Sequence, residues 1–302
     1  MTSSIMRWAA FSLLAIVLAS CGENVAPPQV DLTPYLPQNL EALSVDSSAV
    51  RLRWTAPAMV TDTLLAGYIV RYADRQQNIP KTQTEFTATA LSPGSVTFFI
   101  NPVAQSGQTA DGVQITWAPA KRFLLTYTLT EYTPPEPARP AAIFLGTETT
   151  APHVAPLAVF GQRSPDLYLD GTAIPDSLFL KSPILFDPVW NATSFSVETD
   201  SAGSLDYYRS TFPSTTSFTR GQMVALDNRI YYVRTAADQA GTWLFARIHV
   251  HVLPGLSYPN RSVQITISLQ RVPGLPFASA DPFVDRPCVP SGVFRAAVAE
   301  AS

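Results

Sequence analysis

The chain has 302 residues, a formal net charge of −3, 14% charged and 46% hydrophobic residues, and 27 prolines against 14 glycines. That length allows two domains of ordinary size, and the proline content excludes long helices in favour of strands and extended loops. With no excess of Lys and Arg to neutralise phosphates, nucleic acid is excluded as a partner class.

The first element is an apolar run from Trp8 to Val17, preceded by Arg7 and closed by Leu18-Ala19-Ser20-Cys21. It is too short to span a bilayer as a helix and reads as an export signal over residues 1–20. A cysteine directly after the small residues Ala19 and Ser20 adds a thiol able to carry a diacylglyceryl group. These residues resemble the lipobox of bacterial lipoproteins. The resemblance implies cleavage before Cys21, acylation of its thiol, and attachment to a membrane through lipid chains whose buried methylenes contribute about 0.8 kcal/mol each. Gly22, standing where an Asp favours inner-membrane retention, points to the outer membrane. With Cys21 acylated, Cys288 is the one remaining thiol, so no intramolecular disulfide is expected.

Residues 21–36 include Pro27, Pro28 and Pro34 and read as an extended tether. Period-two alternation begins after it. Val50, Leu52 and Trp54 share one strand face with Arg51 and Arg53 opposite, and Tyr68, Val70 and Tyr72 repeat the pattern around Arg71. Pro37-x-x-Leu40-x-Ala42, Val50-Arg-Leu52-Arg-Trp54, Gly67-Tyr68-Ile-Val70-Arg71-Tyr72 and Leu91-Ser-Pro93-Gly94 together resemble a fibronectin type III domain over residues 37–119. The resemblance implies a sandwich with Trp54 packed between its sheets, acting as a spacer or binding module. Thr97 and Phe98 stand where the family has the tyrosine of its corner. Val113 to Trp117 reads as the last strand of this domain.

Residues 120–277 carry a second set of strand signals, and residues 278–302 read as a loop-like tail. Lys121 to Tyr132 is an early strand, followed by the breakers Pro134, Pro135, Pro137 and Pro140. Arg229–Thr235, Leu244–Leu253 and Ser262–Val272 alternate cleanly, the last two joined by a hairpin loop. Such ribbons imply a sheet with one dry face, hence a sandwich or jelly-roll-like domain. The fold class expected is all-β, with two successive β-rich domains.

Several residue groups could carry chemistry. His249 and His251 fall on the face of their strand opposite Ile248 and Val250, which predicts two solvated imidazoles; a metal or haem site would need further ligands, and zinc requires four. Asp166-Leu-Tyr168-Leu-Asp170-Gly171 has a faint likeness to a calcium loop but lacks its central and closing acids. The doublets Tyr207-Tyr208 and Tyr231-Tyr232, with Trp190, Trp243 and Phe245, could offer rings to sugars, since adjacent strand residues point to opposite faces. Asp176, Asp187, Glu198 and Asp200 could be paired as in glycosidases. No nucleophile elbow, P-loop, dinucleotide fingerprint or zinc-protease helix is present in the sequence. The expectation is therefore a noncatalytic surface lipoprotein without cofactor, binding an extracellular or periplasmic protein or glycan. The rival classes are a small-ligand, metal or haem scavenger and a carbohydrate-active protein.

Overall fold

The computed structural model describes residues 30–134, 138–146, 150–157, 164–173, 176–236 and 242–277. Strands dominate throughout, as the alternating sequence requires. The first sandwich contains β1 (Gln38–Asp46), β2 (Ala49–Thr55) and β5 (Glu85–Ala88) in one antiparallel sheet. Its second sheet holds β4 (Arg75–Pro80), β3 (Leu65–Tyr72), β6 (Val96–Ala104) and β7 (Val113–Trp117), in that order. Two facing antiparallel sheets are what the fibronectin type III resemblance implies. Val50, Leu52 and Trp54 face Tyr68, Val70, Phe98 and Ile100 across the core, all buried. Burial raises the Tyr68 phenol to about 12. Phe98, at the position of the missing corner tyrosine, is fully buried and packs on Tyr72 at 5.7 Å between ring centroids, so hydrophobic contact stands where the family has a hydrogen bond.

The segment read as a tether is docked over its described end. A 3-10 turn at Thr33–Tyr35 places Leu32 and Tyr35 in the same core, and the Tyr35 hydroxyl donates to Asp62 at 2.7 Å. Leu32 and Tyr35 are large apolar side chains whose burial outweighs the extended bias of the surrounding prolines.

The second sandwich pairs a five-stranded with a six-stranded antiparallel sheet. The first contains β10 (His153–Ala155), β9 (Ala142–Phe144), β11 (Leu167–Thr172), β12 (Ser177–Lys181) and β15 (Gln222–Val224). The second contains β14 (Phe218–Arg220), β13 (Thr193–Ser201), β16 (Arg229–Ala236), β17 (Trp243–Val252), β18 (Ser262–Leu269) and β8 (Lys121–Thr130). Between them lie Leu167, Leu169, Leu178 and Leu180 on one side and Ala246, Ile248, Val250, Val263, Ile265 and Ile267 on the other. The period-two faces of β17 and β18 supply half of this core, so a slip of one residue would turn polar side chains into it.

Both outer edges of interest are modified. In β8 the register with β18 shifts between Ile265 and Ile267, and the extra residues present Leu124 and Leu125, 91% and 69% exposed. Such a bulge interrupts the row of edge hydrogen-bonding groups. At β15 the hydroxyl of Tyr231 donates to Val224 O at 2.6 Å and accepts from Leu226 N–H at 2.7 Å, occupying an edge donor and an edge acceptor.

The six-stranded sheet does not have one dry face and one wet face. Residues 202–218 cross its outer side, where Leu205, Phe212 and Phe218 pack with Ile230, Tyr232, Phe245 and Phe277 in the same hydrophobic cluster that fills the first sandwich. Arg209, midway along this crossing, pairs with the free edge of β1: Ala42 N–H donates to Arg209 O at 2.8 Å and Arg209 N–H to Ala42 O at 3.0 Å. Around this bridge the Arg53 guanidinium lies 4.1 Å from the Tyr208 ring centroid, and Ala118 N–H donates to Phe277 O at 2.7 Å. Trp117 Nε1 donates to Ser44 Oγ, which donates to Ala118 O.

A buried ion pair closes another corner. Glu131, fully buried at the end of β8, takes Arg261 Nη2 at 2.7 Å and Arg261 N–H at 2.8 Å, and Arg261 also pairs with Asp176. A methyl group on Gly171 would overlap both Arg261 Nη2 and Glu131 Oε2, which explains glycine at this point in β11.

Gly171→Ala should therefore cost about 3 kcal/mol by splitting a buried pair, whereas Gly203→Ala, with open space around it, should stay within about 0.5 kcal/mol of the parent in denaturant unfolding. Trp54→Ala should cost about 3–5 kcal/mol in the same measurement, the range for deleting a buried large aromatic.

Candidate functional site

The histidine pair sits on β17 at the covered face. Across the sheet, Cα pairing aligns Asp200 with Ile230, Ile230 with His249, and His249 with Thr266, while Tyr232, Arg247 and Ser268 form the adjoining row. His249 is 7% exposed, which corrects the expectation of a solvated ring. Its ring bonds the backbone of Ala202, and Nε2 is sealed from solvent without a hydrogen-bond partner among the described residues. Burial holds the imidazole below its usual range, against the opposing pull of the bond to the Ala202 backbone. His251 is different: its side chain is 41% exposed and its Nδ1 lies 2.8 Å from Asp227 Oδ1. The flanking strands β16 and β18 supply no acid; Asp227 comes from the turn leading into β16. Burial raises the Asp227 carboxyl, but hydrogen bonds from Val252 N–H and His251 outweigh it and leave the group lowered.

The two rings thus have separate tasks. One is a buried contact of the crossing segment and the other belongs to a surface ion pair. Among the described residues no group of three or more His, Cys, Asp and Glu side chains is placed to hold a metal ion.

The covered face is also rich in arginine. Arg247, 2% exposed, donates to Tyr207 O at 3.0 Å, and burial works against its charge. Asp200 accepts from the Tyr232 hydroxyl and pairs with Arg209 at 3.0 Å. Arg122 pairs with Asp206. These groups fasten residues 202–209 onto the sheet.

The aromatic doublets offer no ring platform. Tyr231 and Tyr232 do point to opposite faces, but each is 1% exposed because both faces are covered; Tyr208 and Phe245 are buried too. Trp243 is half-buried under the Arg234 guanidinium, 4.6 Å from its centroid. Tyr207 is half-buried against the first hydrophobic cluster, and Trp190 is half-buried in a second, separate group. Trp190 stacks on Phe186 at 5.2 Å, Phe186 meets Tyr132 edge-on at 5.3 Å, and all three lie over Tyr168 on the outer side of the five-stranded sheet. The 3-10 turn Pro183–Leu185 and the chain after it extend this patch with Ile184, Leu185 and Val189, the last 86% exposed. Beside it Asp170 pairs with Lys181 at 2.6 Å. Sequence reasoning missed the patch, although Pro183-Ile184-Leu185-Phe186 followed by Val189-Trp190 is an apolar run lacking strand alternation.

The faint calcium loop is a strand instead. Asp166 accepts from Leu145 N–H at 2.7 Å and from Thr235 Oγ1 at 2.8 Å, and Asp170 is held by Lys181. Asp176, Asp187 and Asp200 each have separate partners: Arg261, the Val189 N–H, and Tyr232 with Arg209. The Glu198 side chain, Cys21 and Cys288 lie outside the described residues.

No curated protein matched the chain in sequence. Among solved structures, it is similar to the third fibronectin III domain of human KIAA0343 protein at 14% identity, covering 32% of this chain and 94% of that one with a TM-score of 0.26. It is similar to a human collagen XX FN3 domain at 20% identity, covering 31% and 99%, with a TM-score of 0.25. The central fibronectin-III array of RIM-binding protein matches at 11% identity over 73% and 82%, with a TM-score of 0.27. A family model described as "Fibronectin type III domain" matches residues 36–96, so the N-terminal sandwich carries a fibronectin type III domain, of a family whose members are generally noncatalytic structural and binding modules.

Proposed function

We propose that this protein is a noncatalytic display module of a bacterial surface, tethered to the outer membrane through lipid on Cys21. The observation that carries the reading is the junction at Ala42 and Arg209, where the second sandwich completes an edge of the fibronectin type III domain. A spacer domain joined through a hydrogen-bonded edge and a shared apolar cluster fixes the direction in which its neighbour is presented. Free swivelling would not.

The surface presented is the patch of Ile184, Leu185, Phe186, Val189 and Trp190 on the outer side of the five-stranded sheet. Large exposed apolar and aromatic side chains grouped on one loop suit a protein partner, because their burial drives association and aromatic anchors concentrate binding energy. The pattern Leu18-Ala19-Ser20-Cys21 supports the lipid attachment.

Replacing Cys21 with Ser should remove the acyl acceptor. In fractionated cells the variant should move from the membrane pellet to the soluble fraction, and labelled fatty acid should no longer enter the chain. Labelling that persists would overturn the assignment of Cys21.

A further inference from the structure

The first described residue, Val30, fixes the point from which the chain leads back toward Cys21. Val30 N–H donates to Gln108 Oε1 at 3.1 Å, in the turn between β6 and β7. That turn is joined to the loop between β2 and β3: Ala104 N–H donates to Gln108 O at 2.9 Å, and Gln105 N–H to Leu64 O at 2.9 Å. Leu64 N–H donates in turn to Asp62 Oδ1 at 2.9 Å, and Asp62 N–H to Met59 O at 3.0 Å. One end of the first sandwich therefore carries both the root of the tether and two large apolar side chains, Met59 at 47% and Leu64 at 50% exposed. Cys21 stands nine residues before Val30, a length that reaches about 32 Å at most when fully extended. We propose that this end of the first sandwich rests on the lipid surface that holds Cys21, with Met59 and Leu64 seated at the headgroup boundary of zwitterionic lipid. The inference rests on the reading of Cys21 as the acylated residue.

The chemistry of this end suits a lipid surface. Residues 56–61 and 104–110 carry no charged side chain, so no ionic group in them must be desolvated on approach. Asp62, between Met59 and Leu64, is engaged from within the fold: its carboxylate accepts from the Tyr35 hydroxyl at 2.7 Å as well as from Leu64 N–H, and Lys81 Nζ donates to its carbonyl oxygen at 2.7 Å. Asp31 and Asp111 are exposed close by in the chain, at Val30 and beyond the β6–β7 turn. Their charge repels anionic headgroups and selects zwitterionic ones. Two half-exposed apolar side chains are too little to hold a free protein on a membrane. Anchored at Cys21, they meet the surface at a high effective concentration, and a weak apolar contact then suffices.

Strand β3 sets the contrast. It starts at Leu65 beside this end and runs about 23 Å to Tyr72, which puts Asp74, in the turn before β4, at the opposite end of the sandwich.

The acylated full chain in phosphatidylcholine vesicles tests the contact. Leu64→Cys, Met59→Cys and Asp74→Cys each take an environment-sensitive fluorophore in a Cys288→Ser background, where acylated Cys21 is blocked. The two apolar positions are half exposed and Asp74 is exposed, so a cysteine at each leaves the core intact. A nitroxide-headgroup lipid should quench the fluorophore at 64 and at 59 at least about twofold more than at 74. Met59→Asp should bring position 64 down to the level of 74 while the chain stays on the vesicles. A chain that stays on the vesicles with 64 and 59 quenched no more than 74 overturns the contact alone. A chain that floats free of them overturns the anchor at Cys21 and the contact with it.

Discussion

The structure depends on a strand edge that the first sandwich does not complete by itself. In the three-stranded sheet β1 is terminal, and an unpaired edge is both a loss of hydrogen bonding and an invitation to other chains. The second sandwich answers with the backbone of Arg209, and the side chains around it continue the seal: Arg53 on Tyr208, Ser44 between Trp117 and Ala118, Phe277 beyond. To reach that edge, residues 202–218 must cross the outer face of the six-stranded sheet. Crossing buries Tyr232, Phe245, Arg247 and His249. Most departures from simple alternation in the second sandwich follow from that one path.

The inner faces were legible in the sequence. Val50, Leu52 and Trp54, or Val263, Ile265 and Ile267, announce their sheet by period two, because a strand can bury only alternate residues against one neighbour. The motifs of the first domain likewise placed Trp54 between its sheets and Val113 to Trp117 as its last strand. The outer face was not legible, since Arg247 and His249 are polar and period two assigns them to water. What overrides the pattern is a long-range contact from residues 202–218, whose sequence carries no periodic signal. The same blindness affected Tyr231 and Tyr232: alternation correctly gave them opposite directions, but only the tertiary fold shows that both directions lead inward.

The candidate sites divide along the same line. Asp166 and Asp170, suggestive of a calcium loop by spacing alone, serve a backbone N–H with a threonine and a lysine respectively, because a strand rather than a loop carries them. Asp227 could not be assigned to His251 from the sequence, since their meeting depends on the register between β16 and β17. The patch around Phe186 and Trp190 is an irregular apolar segment; without a periodicity, its exposure becomes visible only once the sheet beneath it is built.

The Tyr231 hydroxyl joins parts that sandwich architecture ordinarily leaves independent. It belongs to the six-stranded sheet, yet it supplies the missing donor and acceptor for Val224 and Leu226 beside the edge of the five-stranded one. Two layers held by side-chain packing alone can shear, because dispersion and hydrophobic contacts are nearly indifferent to small lateral displacement. A phenol bonded at both an amide and a carbonyl is directional and tolerates little sliding. It acts as a dowel: the sheets keep their mutual alignment at this corner even where the pressure between their apolar faces would let them drift.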